Sequence, residues 1–227
     1  MGRDRGPAAR WPAGVGEEET EVLYQPAAGN RAGAVLVLAH GAGSHMEHPT
    51  MADLAAALAA GGIGTARFDF LYRRRGSRVP DRMPRLVECL AAVAAAVRNR
   101  LEPRRLLLGG HSMGGRAATV LAAGGFACDG LILLAYPLHP AGRTDRLRDE
   151  HLPRLAAPVL FLSGTRDALC DRQLMEGVAG RLPSSATLHW LAHADHGYRV
   201  PNSSGRTRAE VLAGIGEVAG AWVASVG

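Results

Sequence analysis

A lone serine stands among four glycines in the stretch LLLGGHSMGGRAA, residues 106–118, where Gly110, Ser112 and Gly114 spell G-x-S-x-G. Glycine inside a helix or strand is roughly 0.5–1 kcal/mol less favourable than alanine, so this density indicates a geometric demand. The pattern is that of a nucleophile elbow, a sharp strand-to-helix turn that exposes the serine hydroxyl above the sheet edge. Glycines at positions 110 and 114 would remove side chains that clash there. The alternative is an ordinary turn in which the serine caps a helix.

A serine hydroxyl is a weak nucleophile until a base takes its proton and an acid orients that base, and both follow the elbow in chain order. Asp167 comes directly after the apolar run at residues 158–163, at the carboxyl end of a predicted strand. Two aspartates compete with it: Asp171 has the position of a helix N-cap, and Asp195 is adjacent to the candidate base, where neighbouring side chains diverge. We predict Asp167 as the acid.

The candidate base is His196 in the segment WLAHADHGYRV, which follows the last predicted strand. Gly197 leaves this loop free to turn the imidazole inward. His193 competes for the role. A pair of histidines at this spacing, with Cys170 or His45, could also suggest a metal site, but no further ligand spacing supports one. We predict His196 as the base and no bound metal.

Two backbone N–H groups are needed to stabilise the oxyanion of a tetrahedral intermediate, one after the nucleophile and one in a loop after an earlier strand. Those positions are Met113 and Ala42. Ala42 lies in the stretch HGAG, residues 40–43, whose small residues let the backbone approach a substrate carbonyl. The alternative is a simple glycine-rich turn.

Further polar side chains lie near the same predicted sheet edge and could contact substrate. The arginine-rich segment after the strand ending at Phe70 could attract an acidic or phosphorylated group, although such a run is usually a solvated face. The candidates for substrate contact are His40, His111, His139, Arg73 and Arg74.

The rest of the chain alternates short apolar runs with longer alanine-rich segments, which predicts strand–helix units around a mostly parallel sheet of about six or seven strands with helices on both faces. The first 20 residues predict a flexible arm, and residues 21–227 a single domain. Predicted strands cover 34–39, 64–70, 105–109, 130–135, 158–163 and 187–191. Predicted helices cover 51–60, begun by a capping box of Thr50 and Asp53, and 82–100, 113–123, 171–181 and 207–226.

Composition excludes several classes of protein. The net charge is +5, but all 26 basic residues are arginine and no basic stripe is interleaved with aromatic residues, so nucleic-acid binding is not predicted. Cys89, Cys128 and Cys170 are far apart and lack CxxC spacing. The N-terminal segment lacks the continuous apolar core of a signal peptide, and no apolar run in the chain approaches the length of a membrane span. We expect a cytoplasmic protein without a membrane partner; its oligomeric state stays open.

The ordered motifs HGAG, GHSMGG, the aspartate after FLSGT and the histidine of HADHG resemble the α/β-hydrolase superfamily from about Ala34 onward. Within it, AHGAGSHMEHPTM, GGRAA and LSGTRDAL are similar to a compact branch that resembles dienelactone hydrolase. The eukaryotic relatives of that branch include testis-expressed proteins and subunits of histone-acetyltransferase complexes. Dienelactone hydrolase has a cysteine nucleophile where this chain has Ser112.

The resemblance implies a serine hydrolase of small esters or thioesters that needs no cofactor. Two alternatives use the same fold: a catalytically silent interaction module, and an acyltransferase or small peptidase with the same residues. Many esterases carry a helical cap before the strand that bears the acid, but only residues 136–157 are available there. We therefore expect no full cap domain.

Overall fold

The computed structural model describes residues 9–29 and 33–226, which form one sheet of eight strands with helices on both faces. The strands follow the spatial order β1-β2-β4-β3-β5-β6-β7-β8. Strands β3 to β8 pair in parallel, whereas β1 and β2 are antiparallel. The strands are β1 (Ala9–Val15), β2 (Glu18–Gln25), β3 (Ala34–Ala39), β4 (Gly64–Phe68), β5 (Arg105–His111), β6 (Gly130–Leu134), β7 (Val159–Gly164) and β8 (Ala186–Leu191).

The α-helices cover both faces of the sheet, as fully apolar parallel strands require. Helices α3, α4 and α5 pack on one face, and α1 and α6 pack on the other. No helix in the described part of the chain has the length and apolar character needed to cross a membrane. The helices are α1 (Pro49–Ala60), α2 (Leu71–Arg74), α3 (Met83–Leu101), α4 (Met113–Ala123), α5 (Arg172–Ala179) and α6 (Arg208–Ser225).

The six predicted strands and five predicted helices are confirmed to within two residues at each end. Asp171 caps α5 by accepting the N–H of Leu174, as predicted. The predicted capping box at the start of α1 is wrong. That helix begins two residues earlier, and the imidazole of His48 accepts the N–H of Thr50 at 3.2 Å. Pro49 explains the early start, because its fixed φ suits the first turn of a helix.

The predicted N-terminal arm is wrong for residues 9–20, which form β1 and the start of β2; residues 1–8 lie outside the described residues. In β1 the buried residues Trp11, Ala13 and Val15 alternate with exposed ones that include Pro12 and Gly14. Pro12 is tolerated because β1 is the edge strand. The proline and glycine hid a period-two pattern whose apolar half packs against α3.

Between β6 and β7 the chain contains only a short 3₁₀ turn, Leu152–Arg154, so the expectation that no full cap domain is present is confirmed. Tyr136 is fully buried, and its hydroxyl donates to the backbone oxygen of Arg148 at 2.8 Å. This bond folds the segment back on itself beside the elbow helix α4.

Helices α1 and α6 approach so closely that no side chain fits between them. A Cβ at Gly216 would lie 2.1 Å from the carbonyl oxygen of Ala57, and one at Gly220 would lie 2.2 Å from that of Gly61. By contrast, a Cβ at Gly214 would meet nothing within 4 Å. Gly216 and Gly214 lie on the same helix and therefore form a matched pair.

We expect Gly216→Ala to lower the free energy of unfolding by about 1–3 kcal/mol, because the two helices must move apart. Gly214→Ala should raise it by roughly 0.5–1 kcal/mol, because alanine loses less conformational freedom on folding. Urea denaturation of both variants measures the effects. Equal stability of the two variants would show that the close approach of α1 and α6 is not required.

Candidate active site

Ser112 lies at the turn between β5 and α4 in a conformation that side chains rarely adopt, with φ 53° and ψ −117°. A Cβ at Gly110 or at Gly114 would come within 2.3 Å of the carbonyl oxygen of Ala39. The glycines therefore let α4 start directly against β3. The Ser112 hydroxyl does not cap α4, which excludes the interpretation of an ordinary capping serine. Strain of this kind, about 1–3 kcal/mol, is characteristic of functional turns.

Ser112, His196 and Asp167 form a continuous chain of hydrogen bonds. The Ser112 Oγ lies 2.8 Å from His196 Nε2, and His196 Nδ1 lies 2.8 Å from Asp167 Oδ2. Because a carboxylate can only accept, the proton on the imidazole is on Nδ1, and Nε2 is left to accept the serine proton. The Asp167 side chain is fully buried, whereas that of His196 is 28% exposed. Asp167 Oδ1 also accepts the N–H of Leu169 at 2.8 Å.

The competing residues have other partners. Asp171 caps α5, and Asp195 accepts the N–H groups of Gly197 and Arg199 at 2.8 and 2.9 Å. Those bonds shape the loop that carries His196. His193 is exposed, and its backbone N–H donates to Thr165. The geometry thus brings together the three residues that the sequence predicts and leaves the competitors outside.

The backbone N–H groups of Ala42 and Met113 donate to no acceptor in residues 9–29 and 33–226. Ala42 and Ser112 line the same cavity, and Met113 is the first residue of α4. Both groups are therefore available to an oxyanion that forms on a substrate bound at Ser112.

The loop of Ala42, residues 40–48 (the oxyanion loop), donates hydrogen bonds to side chains of the segment that follows β4. Asp69 accepts the N–H of Met46 at 2.7 Å, and the hydroxyl of Tyr72 accepts that of Gly43 at 3.3 Å. Sequence reasoning missed both side chains. Their signal was the polar residues at the end of the strand in the stretch ARFDFLY.

A family model described as an alpha/beta hydrolase domain matches residues 32–224. This chain belongs to the α/β-hydrolase family. The superfamily that the motifs resemble is therefore confirmed, while the resemblance to testis-expressed proteins and histone-acetyltransferase-complex subunits stays a prediction.

Solved structures with the same fold are similar over almost the whole chain. Dienelactone hydrolase from Anabaena variabilis is 20% identical, with a TM-score of 0.75 and coverage of 96% of each chain. An alpha-beta serine hydrolase homologue from Coxiella burnetii is 20% identical, with a TM-score of 0.74 and coverage of 94% of this chain and 98% of that one. A serine hydrolase without a lid from Xanthomonas campestris is 22% identical, with a TM-score of 0.70 and coverage of 95% of each chain.

Two histidines predicted as substrate contacts are instead buried within the hydrolase fold. His40 Nδ1 donates to the carbonyl oxygen of Gly41 at 2.8 Å, and its Nε2 accepts the N–H of Phe70 at 3.3 Å. His139 Nε2 accepts the N–H of Asp171 at 2.9 Å. This bond connects the segment after β6 to the loop that carries Asp167. Neither lines the cavity at Ser112. Both rings satisfy backbone groups that the packed loops would otherwise leave unpaired.

The arginine-rich segment is also placed differently from its prediction. Arg73 and Arg74 belong to the short helix α2, and neither lines the cavity at Ser112. Arg73 donates to the backbone oxygen of Ser77. Arg75 pairs with Glu18 at 2.8 Å and with Asp81 at 2.6 Å, so this part of the segment fastens the β1–β2 hairpin.

The cavity beside Ser112 has a volume of about 310 Å³ and opens between the oxyanion loop, the start of α1 and the loop of His196. Among the five residues predicted to contact substrate, His111 is the one that lines this cavity. The lining residues are Gly41, Ala42, Gly43, Ser44, His48, Thr50, Met51, His111, Ser112, His196 and Gly197.

Burial of histidines makes the stability of the fold depend on pH. It lowers the pKa values of His40, His111 and His151 to about 4 each. In the unfolded chain a histidine has a pKa of about 6.5. Below that pH the unfolded state binds protons that the folded state does not, so stability is lost as the pH falls from about 6.5 to about 4.

We expect the free energy of unfolding to fall over that range by up to about 1.4 kcal/mol per pH unit for each histidine. His151 lies away from the cavity and its Nε2 donates to Thr119 at 2.8 Å, so His151→Gln should make the slope shallower. His189→Gln, on the edge strand β8, is the control. Urea denaturation at several pH values measures how the free energy of unfolding changes with pH. If His151→Gln has the same pH dependence as the wild type, His151 does not contribute to it.

Proposed function

We propose that this protein is a serine hydrolase of small ester or thioester substrates. The observation that carries the proposal is the unbroken chain from Ser112 Oγ through His196 to the buried Asp167 carboxylate. A serine in that position can lose its proton to a neutral imidazole while the carboxylate stabilises the imidazolium that forms.

The reaction has two halves. Ser112 Oγ attacks the carbonyl carbon as its proton passes to His196 Nε2, and the N–H groups of Ala42 and Met113 stabilise the oxyanion. Collapse of this intermediate breaks the bond to the leaving alcohol or thiol, which takes the proton from His196. A water molecule then gives a proton to His196 while its oxygen attacks the acyl carbon. The bond from that carbon to Ser112 Oγ breaks, His196 returns the proton to Oγ, and the acid is released.

A fluorophosphonate probe tests the proposal directly, because such probes label a serine only when it is activated by its neighbours. Labelling of the folded protein should be complete, and mass spectrometry should locate the adduct on the peptide that contains Ser112. The absence of any labelling under conditions that label a known serine hydrolase would favour the catalytically silent module.

The lining of the cavity predicts a preference for short acyl groups. Burial of a methylene contributes ~0.8 kcal/mol only where apolar walls cover it, and Met51 is the one large apolar side chain among the described residues that line the cavity. We expect kcat/KM for p-nitrophenyl esters to be highest at about two to four acyl carbons, because uncovered methylenes add no binding in the transition state. No jump in activity should occur at an emulsified lipid surface.

A chain-length series of these esters, with and without emulsified lipid, measures the preference. A maximum at about eight carbons or longer would show that another apolar wall covers the acyl chain. The segment at residues 136–157 would then be the first place to look for it.

A further inference from the structure

The hydrogen-bond partner of His111 determines which of its two ring nitrogens carries the proton. His111 Nε2 lies 2.9 Å from the backbone oxygen of His196. Since a carbonyl oxygen can only accept, Nε2 carries the proton, and Nδ1 of the neutral ring is a bare acceptor. Burial lowers the pKa of His111 to about 4, so the ring stays neutral near pH 7. This residue therefore presents a hydrogen-bond acceptor next to the nucleophile.

The acceptor faces the glycine that opens the oxyanion loop. A Cβ at Gly41 would lie 3.1 Å from His111 Nδ1 and 3.5 Å from the Cβ of Ser112. Gly41, His111 and Ser112 all line the cavity. Nδ1 forms no hydrogen bond with any residue that the structure describes. The absence of a side chain at position 41 thus leaves room beside both the acceptor and the nucleophile.

Side chains that can donate hydrogen bonds also line the cavity. The hydroxyls of Ser44 and Thr50 make no hydrogen bond within residues 9–29 and 33–226. His48 Nδ1 accepts the N–H of Thr50, so its neutral ring carries a proton on Nε2. No arginine, aspartate or glutamate is among the described lining residues. The lining therefore combines one ring nitrogen that can only accept with hydroxyls that can donate or accept, and it supplies no guanidinium for a carboxylate.

We propose that this cavity is a subsite for a neutral, hydroxyl-bearing acyl group. His111 Nδ1 accepts a hydrogen bond from the substrate hydroxyl, and the hydroxyls of Ser44 and Thr50 donate hydrogen bonds to the acyl group. The inference rests on the proposed ester hydrolysis and narrows its substrate class to esters of short hydroxy acids. A carboxylate in the same place would meet the lone pair of His111 without a cation to offset the loss of its hydration. A hydroxyl can both donate and accept, as this lining requires.

Two ester pairs test the subsite, each differing by a hydroxyl in place of a methyl group. Ethyl 3-hydroxybutanoate and ethyl 3-methylbutanoate place the difference in the acyl group. Acetates of ethylene glycol and of propanol place it in the alcohol. With hydrolysis followed by titration of the released acid, we expect kcat/KM to favour the hydroxylated acyl ester about five- to tenfold, and the alcohol pair to be near equal.

Variants of the lining then locate the preference. His111→Phe keeps a ring but removes the acceptor, so it should bring the acyl-pair ratio close to one, whatever it does to both rates. His111→Gln retains one donor and one acceptor and should restore part of the ratio. Ser44→Ala should reduce the ratio as well. The control Ser203→Ala removes an exposed hydroxyl outside the cavity lining and should leave the ratio unchanged.

The outcomes separate the two proposals. Hydrolysis of both acyl esters with a wild-type ratio at or below one overturns the subsite but leaves the proposed serine hydrolase standing. A preference confined to the alcohol pair overturns the acyl assignment and moves the hydroxyl to the leaving group. A ratio that His111→Phe and Ser44→Ala leave unchanged also overturns the subsite. Failure to hydrolyse any of the four esters, together with no fluorophosphonate labelling, counts against the proposed function itself.

Discussion

Replacement of Ser112 by alanine is expected to abolish fluorophosphonate labelling and to lower kcat for ester hydrolysis by about 10⁴–10⁶-fold. The three residues of such a chain act as a unit, so loss of the nucleophile removes the benefit of the other two. Removing Oγ leaves His196 Nε2 without its partner at 2.8 Å, while the bond from Nδ1 to Asp167 remains. The residual rate would come from the oxyanion groups and substrate binding alone.

The fold should survive this substitution. Ser112 caps nothing with its side chain, and alanine can occupy the same strained backbone with no greater cost. Far-ultraviolet circular dichroism and the urea midpoint should match those of the wild type. Ser203→Ala, on an exposed 3₁₀ turn, serves as the control and should retain full labelling. Labelling that persists in Ser112→Ala would show that another residue is the nucleophile.

Asp167→Asn is expected to lower kcat by about 10⁴-fold with little change in the fold, a size typical of losing the acid in a serine–histidine–acid triad. The amide of asparagine presents N–H groups toward His196 Nδ1 if its oxygen keeps the bond to Leu169 N–H. The imidazole would then carry its proton on Nε2 and could not accept from Ser112. The side chain is fully buried, so water cannot replace the lost acceptor.

A matched control lies four residues further along the same loop. Asp171→Asn makes the same chemical change at the N-cap of α5, where asparagine caps as well as aspartate. We expect Asp171→Asn to keep nearly full activity, and the comparison of kcat for the two variants at neutral pH is the measurement. Equal losses in both would mean that the loop conformation, and not the carboxylate at position 167, governs the rate.

Several features of this site follow from local sequence alone. The glycines at 110 and 114 signal a close strand-to-helix turn, and the predicted end of β7 places Asp167 at the carboxyl edge of the sheet. Such signals are readable because backbone strain and strand ends depend on neighbouring residues. The order of serine, acid and base then limits the candidates to a few, and the structure brings Ser112, Asp167 and His196 into contact.

The edge strand β1 was missed from the sequence, because proline and glycine obscure its alternating pattern. Its buried Trp11 packs with Tyr24 of the neighbouring strand β2 and lies beneath Arg100 at the end of α3, which is far from β1 in sequence. A chain segment rich in proline, glycine and arginine resists regular structure on its own. Here pairing with β2 and burial against α3 stabilise it as a strand.

The roles of the polar residues around the site also depend on contacts between elements that are far apart in sequence. His40, His139 and Arg75 have the residue types of substrate contacts, yet each is used by a distant loop whose backbone or charge it satisfies. The cavity instead takes His48, Thr50 and Met51 from the start of α1, residues that the sequence analysis did not propose as substrate contacts. A polar side chain satisfies whichever partner the folded chain brings within about 3 Å, and only the packing of elements far apart in sequence determines that partner.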